Sequence, residues 1–93
     1  MSAATRQPEE LTAGSRVIVN VREFSVFGRI EEINPVDLEA ADLIRAGVSE
    51  VARISYKPAA LEPEAVFTAV RIGSLWFDLN YRELELEPVS IAF

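Results

Sequence analysis

Apolar side chains recur at every second position along most of six short segments, residues 16–21, 26–33, 51–56, 66–72, 75–79 and 83–87. That is the period of a strand with one face buried, so the chain is predicted to form a small, strongly curved β domain. Val17, Val19 and Val21 share one face of the first strand, opposite Arg16, Ile18, Asn20 and Arg22. Gly28 stands inside the second strand, where a missing side chain permits the bulge or sharp bend that a small barrel needs to close. Gly73-Ser74 joins strands four and five, with glycine where a type II′ turn requires it. Residues 78–82 read as a short turn before the last strand.

One helix is predicted between strands two and three, over residues 35–46. Asn34 is a good N-cap, Pro35 suits the first helical position, Asp37 lies near the positive helix start, and Gly47 supplies a stop. Val36, Ala40, Leu43 and Ile44 form an apolar arc, with Glu39, Asp42 and Arg45 on the other side. Such a helix is expected to cover an open end or one face of the sheet. Residues 1–10 read as a flexible leader and residues 11–93 as a single small-barrel domain.

The stretch Ala13-Gly14-Ser15-Arg16-Val17-Ile18-Val19, the Phe27-Gly28-Arg29-Ile30 segment, the hairpin over residues 70–79 and the final turn and strand over residues 81–89 together resemble SH3-like small barrels, the group that includes Tudor and KOW-type modules. The resemblance covers about residues 11–89 and implies a mainly β barrel of five to six strands with one inserted helix. It implies a binding module more often than an enzyme, although the helix departs from the simplest members and fold alone does not settle function.

Ninety-three residues, 49% of them hydrophobic, suffice for one core but not for a deep cleft between two layers. Cysteine and histidine are both absent, which removes disulfides, thiolate nucleophiles, the commonest general base and the commonest metal ligands. No GxSxG or GxxxxGK[ST] sequence occurs. The expectation is therefore a protein with no enzymatic activity, no cofactor and no metal. Residues 1–12 lack the apolar core of a secretory signal, and no stretch is long and apolar enough for a membrane span. A cytoplasmic location follows as the default expectation. Fifteen acidic against nine basic residues give a net charge of −6, which disfavours direct nucleic-acid binding. Eight of the nine positive charges are arginine; with many alanines, that bias is compatible with a GC-rich bacterial source.

Three candidate surfaces remain. If Val26, Ile30, Ala52, Ile54, Val66, Val70, Leu75 and Phe77 face the core, parity turns Phe27, Val51, Phe67, Ala69 and Trp76 outward, where the helix or another protein must cover them. The alternating Val89, Ile91 and Phe93 offer either a strand closing the barrel beside strand one or an exposed edge that adds to a neighbouring chain. Glu83, Glu85 and Glu87 line one side of the last strand, either as a solvated face or, with Glu31 and Glu32, as an acidic surface for a basic partner; alternatively Arg29, Arg53 and Arg71 neutralise these glutamates across the sheet. Aromatic walls for a ligand pocket would come from Tyr56, Trp76 or Tyr81, with Phe24 as a further candidate.

These surfaces support three functional expectations. The first is a self-associating, homodimeric interaction or adaptor module using Phe27, Val51, Phe67, Trp76, Val89, Ile91 and Phe93. The second is a small-ligand-binding module with an aromatic-lined pocket at Tyr56, Trp76 and Tyr81. The third is an acidic mimic of nucleic acid that occupies the basic groove of another protein.

Overall fold

A computed structural model describes residues 11–58 and 61–89. Strands β1 (Arg16–Val21), β2 (Phe24–Pro35), β3 (Val48–Tyr56), β4 (Ala65–Ile72), β5 (Leu75–Asp78) and β6 (Glu83–Pro88) form a closed antiparallel barrel in chain order, and β6 returns to β1. This is a small barrel of the kind the SH3-like resemblance implies. Its core is built from Val17 and Val19 of β1, Ile30 of β2, Ala52 and Ile54 of β3, Ala69 of β4, and Leu84 and Leu86 of β6.

Strand β2 is long enough to serve two neighbours, pairing with β1 up to Arg29 and with β3 from Gly28 onward. Gly28 is the corner, because a Cβ there would lie 3.0 Å from both Ile54 Cγ2 and the Ser55 carbonyl oxygen. The bulge expected around Gly28 falls further along instead: Ile30 faces Ile54 and Glu32 faces Arg53, so Glu31 is the extra residue. That insertion resets the alternation and brings Ile33 back onto the core.

The helix is much shorter than its sequence signals predict. Only α1 (Ala41–Arg45) is helical, and its N-cap residue Ala40 makes no side-chain capping bond. Strand pairing wins over the capping signals: Asn34 and Pro35 continue β2 opposite Val51 and Glu50. The Asn34 amide donates to Glu32 Oε1 at 3.2 Å rather than capping a helix, and a proline that ends a strand forfeits no ladder bond there. Asp37 organises a turn, its Oδ1 accepting the Glu39 N–H and its carbonyl accepting the Ala40 N–H. The stop at Gly47 holds, and α1 packs on β3.

The facing of β4 and β5 is the reverse of that predicted. Ala69 is fully buried in the core, while Phe67 and Trp76 pack against it. Val66 and Leu75, expected inside, are 49% and 46% exposed. The run Ala65-Val-Phe-Thr-Ala-Val-Arg-Ile is apolar on both faces, so its period cannot say which set turns inward. Register decides it, through Ala69 opposite Ala52 and Phe67 opposite Ile54. The other set is partly covered as well: Val70, expected inside and paired between Val51 and Phe77, is fully buried.

Closure is made by β6, with Leu86 opposite Val19 and Leu84 opposite Trp76. The place beside β1 that one of the two readings gave to residues 89–93 is therefore taken by Glu85–Pro88. Val89 adds one bond, its N–H donating to the Arg16 carbonyl at 2.9 Å. Ile91 and Phe93, like residues 1–10, lie outside the described residues. Among the described residues, no helix is long and apolar enough to cross a membrane.

Candidate functional site

Two concavities open at opposite ends of β3. At the Tyr56 end, a cavity of about 330 Å³ sits in the mouth of the barrel. Val19, Val21 and Val26 continue the inward rows of β1 and β2 into its floor, joined by Leu84 from β6. Three aromatic residues wall it. Tyr56 and Phe67 meet edge to face, with centroids 5.7 Å apart and planes at 73°, so their rings form two sides of a corner. Phe24, the first residue of β2, stands at the rim and is 71% exposed.

The remaining lining residue is Asp78, which lies opposite the buried Ala69 and so occupies an inward position at the end of β5. Its Oδ1 accepts the Asn80 N–H at 2.8 Å and the Arg82 N–H at 2.9 Å, which shapes the turn into β6. Among the described residues, its Oδ2 has no hydrogen-bond or ion-pair partner.

At the Glu50 end, a larger groove of about 1020 Å³ runs past Leu11, Ile33 and Trp76. It is not an apolar site. Arg71 Nη1 and Glu50 Oε1 pair across it at 2.8 Å, and Glu83 and Glu85 add carboxylates to its lining. An apolar ligand there would have to displace the hydration of these charges. The smaller cavity, with one carboxylate and seven predominantly apolar residues, is the more apolar of the two and the better suited to an apolar group.

The structure separates the residues expected to share an aromatic pocket. Tyr56 lines the end cavity, Trp76 lines the groove, and Tyr81 sits in the Asp78–Arg82 turn at φ 61 and lines neither. Phe67 and Asp78 take the places that sequence reasoning gave to Trp76 and Tyr81. Phe67 was hidden by the reversed facing of β4, and Asp78 by its evident use as a turn residue; pairing Phe67 with Ile54 is the signal that exposes the first. Of the expected interface, Phe27 is outward and 73% exposed, whereas Val51 and Val89 are half-buried.

Glu83, Glu85 and Glu87 are exposed on the outer side of β6, and Glu85 accepts a hydrogen bond from the Asn20 amide at 3.1 Å. Of the arginines expected to neutralise the acidic residues across the sheet, Arg29 pairs with Glu31 and Arg53 with Glu32, as expected, whereas Arg71 pairs with Glu50 and none of the three pairs with Glu83, Glu85 or Glu87 among the described residues. The Glu31 carboxyl is held below its ordinary pKa, chiefly by the hydroxyl of the buried Ser55; partial desolvation opposes this and the Arg29 guanidinium assists. No group of three or more acidic side chains suited to a metal ion occurs among the described residues.

In comparisons with known proteins, no family model, no curated protein and no solved structure matches this chain.

Proposed function

We propose that the chain is a non-enzymatic interaction module of the SH3-like small-barrel group, which receives a side chain of a protein partner in the end cavity between Tyr56 and Phe67. The observation that carries this reading is the cavity itself: aromatic walls, an aliphatic floor and a rim phenylalanine that is 71% exposed. An aromatic side chain left in water beside an apolar hollow gains by being covered, and aromatic anchors in pockets dominate protein recognition.

Self-association is the narrower form of this proposal. It draws on Phe24 and Phe27, the exposed aromatics of β2, because Phe67 and Trp76 are partly buried against the barrel's own core. A second reading, a pocket for a free small molecule, draws on the same Tyr56–Phe67 corner.

A benzophenone cross-linker placed at position 24 tests the proposal in cells, with the 88% exposed position 38 as the control. The expected result is a discrete protein adduct from position 24 that is lost on Tyr56→Ala, with a well-dispersed amide spectrum confirming that the variant folds. Equal adducts from both positions would overturn the assignment of the cavity. Sedimentation across the micromolar range identifies the occupant as a second copy if the mass doubles and Phe24→Ser reverses the doubling.

A further inference from the structure

We infer that the outer face of β1, β2 and β6 around Ile18 is a two-fold interface with a second copy of this chain. This goes beyond the cavity reading and does not rest on it, because Phe24 lines the barrel mouth while Phe27, opposite Ile18, stands on the other face of β2.

Register fixes what this face presents. Val17 and Val19 are core residues, so Ile18 points outward, between Phe27 of β2 on one side and Glu87 of β6 on the other. Phe27 is 73% exposed, and α1 packs on β3, away from it. One row toward the start of β1, Arg16 lies opposite Arg29; one row the other way, Asn20 lies between Ser25 and Glu85. Charge on this face is therefore divided, basic at Arg16 and Arg29 and acidic at Glu85 and Glu87, with the apolar Ile18 and Phe27 between.

That division is self-complementary. Neighbouring strands lie about 4.8 Å apart and alternate residues of one strand about 6.8 Å, so Arg29 and Glu85 occupy opposite ends of a diagonal through Ile18, each about 8 Å from it. A two-fold axis lying in the face, through Ile18 and perpendicular to that diagonal, brings Arg29 of one copy onto Glu85 of the other and Arg16 toward Glu87. Each contact then occurs twice, and Phe27 of each copy falls beside Ile18 of the other. The two sheets cross steeply, close to the orthogonal arrangement of packed sheets. The charged groups are available: among the described residues no ion pair uses Arg16, Glu85 or Glu87, Glu85 gives only Oε1 to Asn20, and Arg29 meets Glu31 through Nε. A foreign segment of either sign would meet like charge on half of this face, and a neutral one would desolvate four charges without pairing them. A second copy pairs all four.

The test is sedimentation equilibrium of the full chain from micromolar to millimolar concentration, at low and high salt. The face is three strands wide, at the lower end of interface sizes, so the expected dimer dissociates at about 10–100 µM and binds about threefold or more weakly in high salt. Phe27→Asp is expected to give a monomer, as is each of two double charge reversals, Arg16→Glu with Arg29→Glu and Glu85→Arg with Glu87→Arg. Well-dispersed amide spectra show that each variant folds. Mixing the two charge-reversed variants is expected to restore association as a heterodimer; both remain net negative, so recovery reads local pairing rather than bulk attraction. A parent that stays monomeric at every concentration would overturn the inference, as would charge-reversed variants that dimerise like the parent or fail to recover on mixing. Mass doubling reversed by Phe24→Ser but not by Phe27→Asp would overturn it too, by placing the interface at the end cavity. Absence of the position-24 adduct with Phe27-dependent dimerisation intact would support the two-fold face and remove the cavity reading alone.

Discussion

The Ser55 hydroxyl donates a 2.6 Å hydrogen bond to Glu31 Oε2 across the β2–β3 seam. Glu31 is the bulge residue of β2, and Ser55 is the one buried polar residue among those described. The bulge places Glu31 and Glu32 together where neighbouring arginines reach them, Arg29 at 3.5 Å from Glu31 and Arg53 at 3.3 Å from Glu32.

A pH dependence follows from this contact. Because the folded-state pKa of Glu31 is lowered, its contribution to stability is fully present above the unfolded-state value and is lost as pH falls through the folded-state value. Ser55→Ala removes the largest cause, so Glu31 is expected to titrate closer to an ordinary glutamate and the acid limb of stability to flatten. Side-chain carboxyl NMR reads the first directly. An unchanged Glu31 titration in the variant would show that the hydroxyl is not the cause.

Gly28 is limited by space. Its neighbours are the fully buried Ile54 and a backbone carbonyl, and neither yields easily to a Cβ at 3.0 Å. Gly28→Ala is expected to cost about 1–3 kcal/mol, the usual range for overpacking, despite alanine's better intrinsic fit to a strand. Chemical denaturation measures this as a lower midpoint at constant slope; a variant as stable as the parent would show that β2 and β3 can separate there without penalty.

The elements were legible where one face of a segment is polar. Val17 and Val19 against Arg16 and Asn20, or Leu84 and Leu86 against Glu83 and Glu85, leave one orientation open. Where both faces are apolar, as from Ala65 to Val70, only the partner strand decides. The bulges at Glu31 and at Ser49 carry no local signal because they arise from register with the neighbouring strand, about 20 residues further along the chain, rather than from the segment itself. The helix lies where it was expected but starts later, for a related reason: Asn34 and Pro35 make good caps in isolation, yet they pair with β3 instead. The end cavity was half legible, since Tyr56 and Phe24 were candidates and Phe67 was assigned to the wrong side.

Opposite facing of two phenylalanines gives a mutational test of that correction. Phe67→Ser removes a ring packed against the core and is expected to destabilise by about 2–4 kcal/mol. Phe27→Ser acts on a ring that is 73% exposed and should change stability by less than about 0.5 kcal/mol. The same urea titration distinguishes them, and comparable losses would mean that both faces of the sheet are covered.

Gly73 poses the converse of Gly28. A Cβ there would meet nothing within 4 Å, yet its φ of 64° is one that side chains rarely adopt. Ser74 does not share a positive φ, which agrees with the type II′ turn expected from Gly73-Ser74. Any cost of Gly73→Ala is therefore conformational. The first position of a type II′ turn suits no L side chain, so the strain outweighs the smaller entropy of the unfolded alanine chain and the net loss is expected to be about 1 kcal/mol or more. Because the hairpin joins β4 to β5, the loss should appear as faster amide exchange at Ile72 and Leu75 before it appears elsewhere. If exchange there is unchanged and the midpoint holds, the turn has adopted another type and the glycine is dispensable.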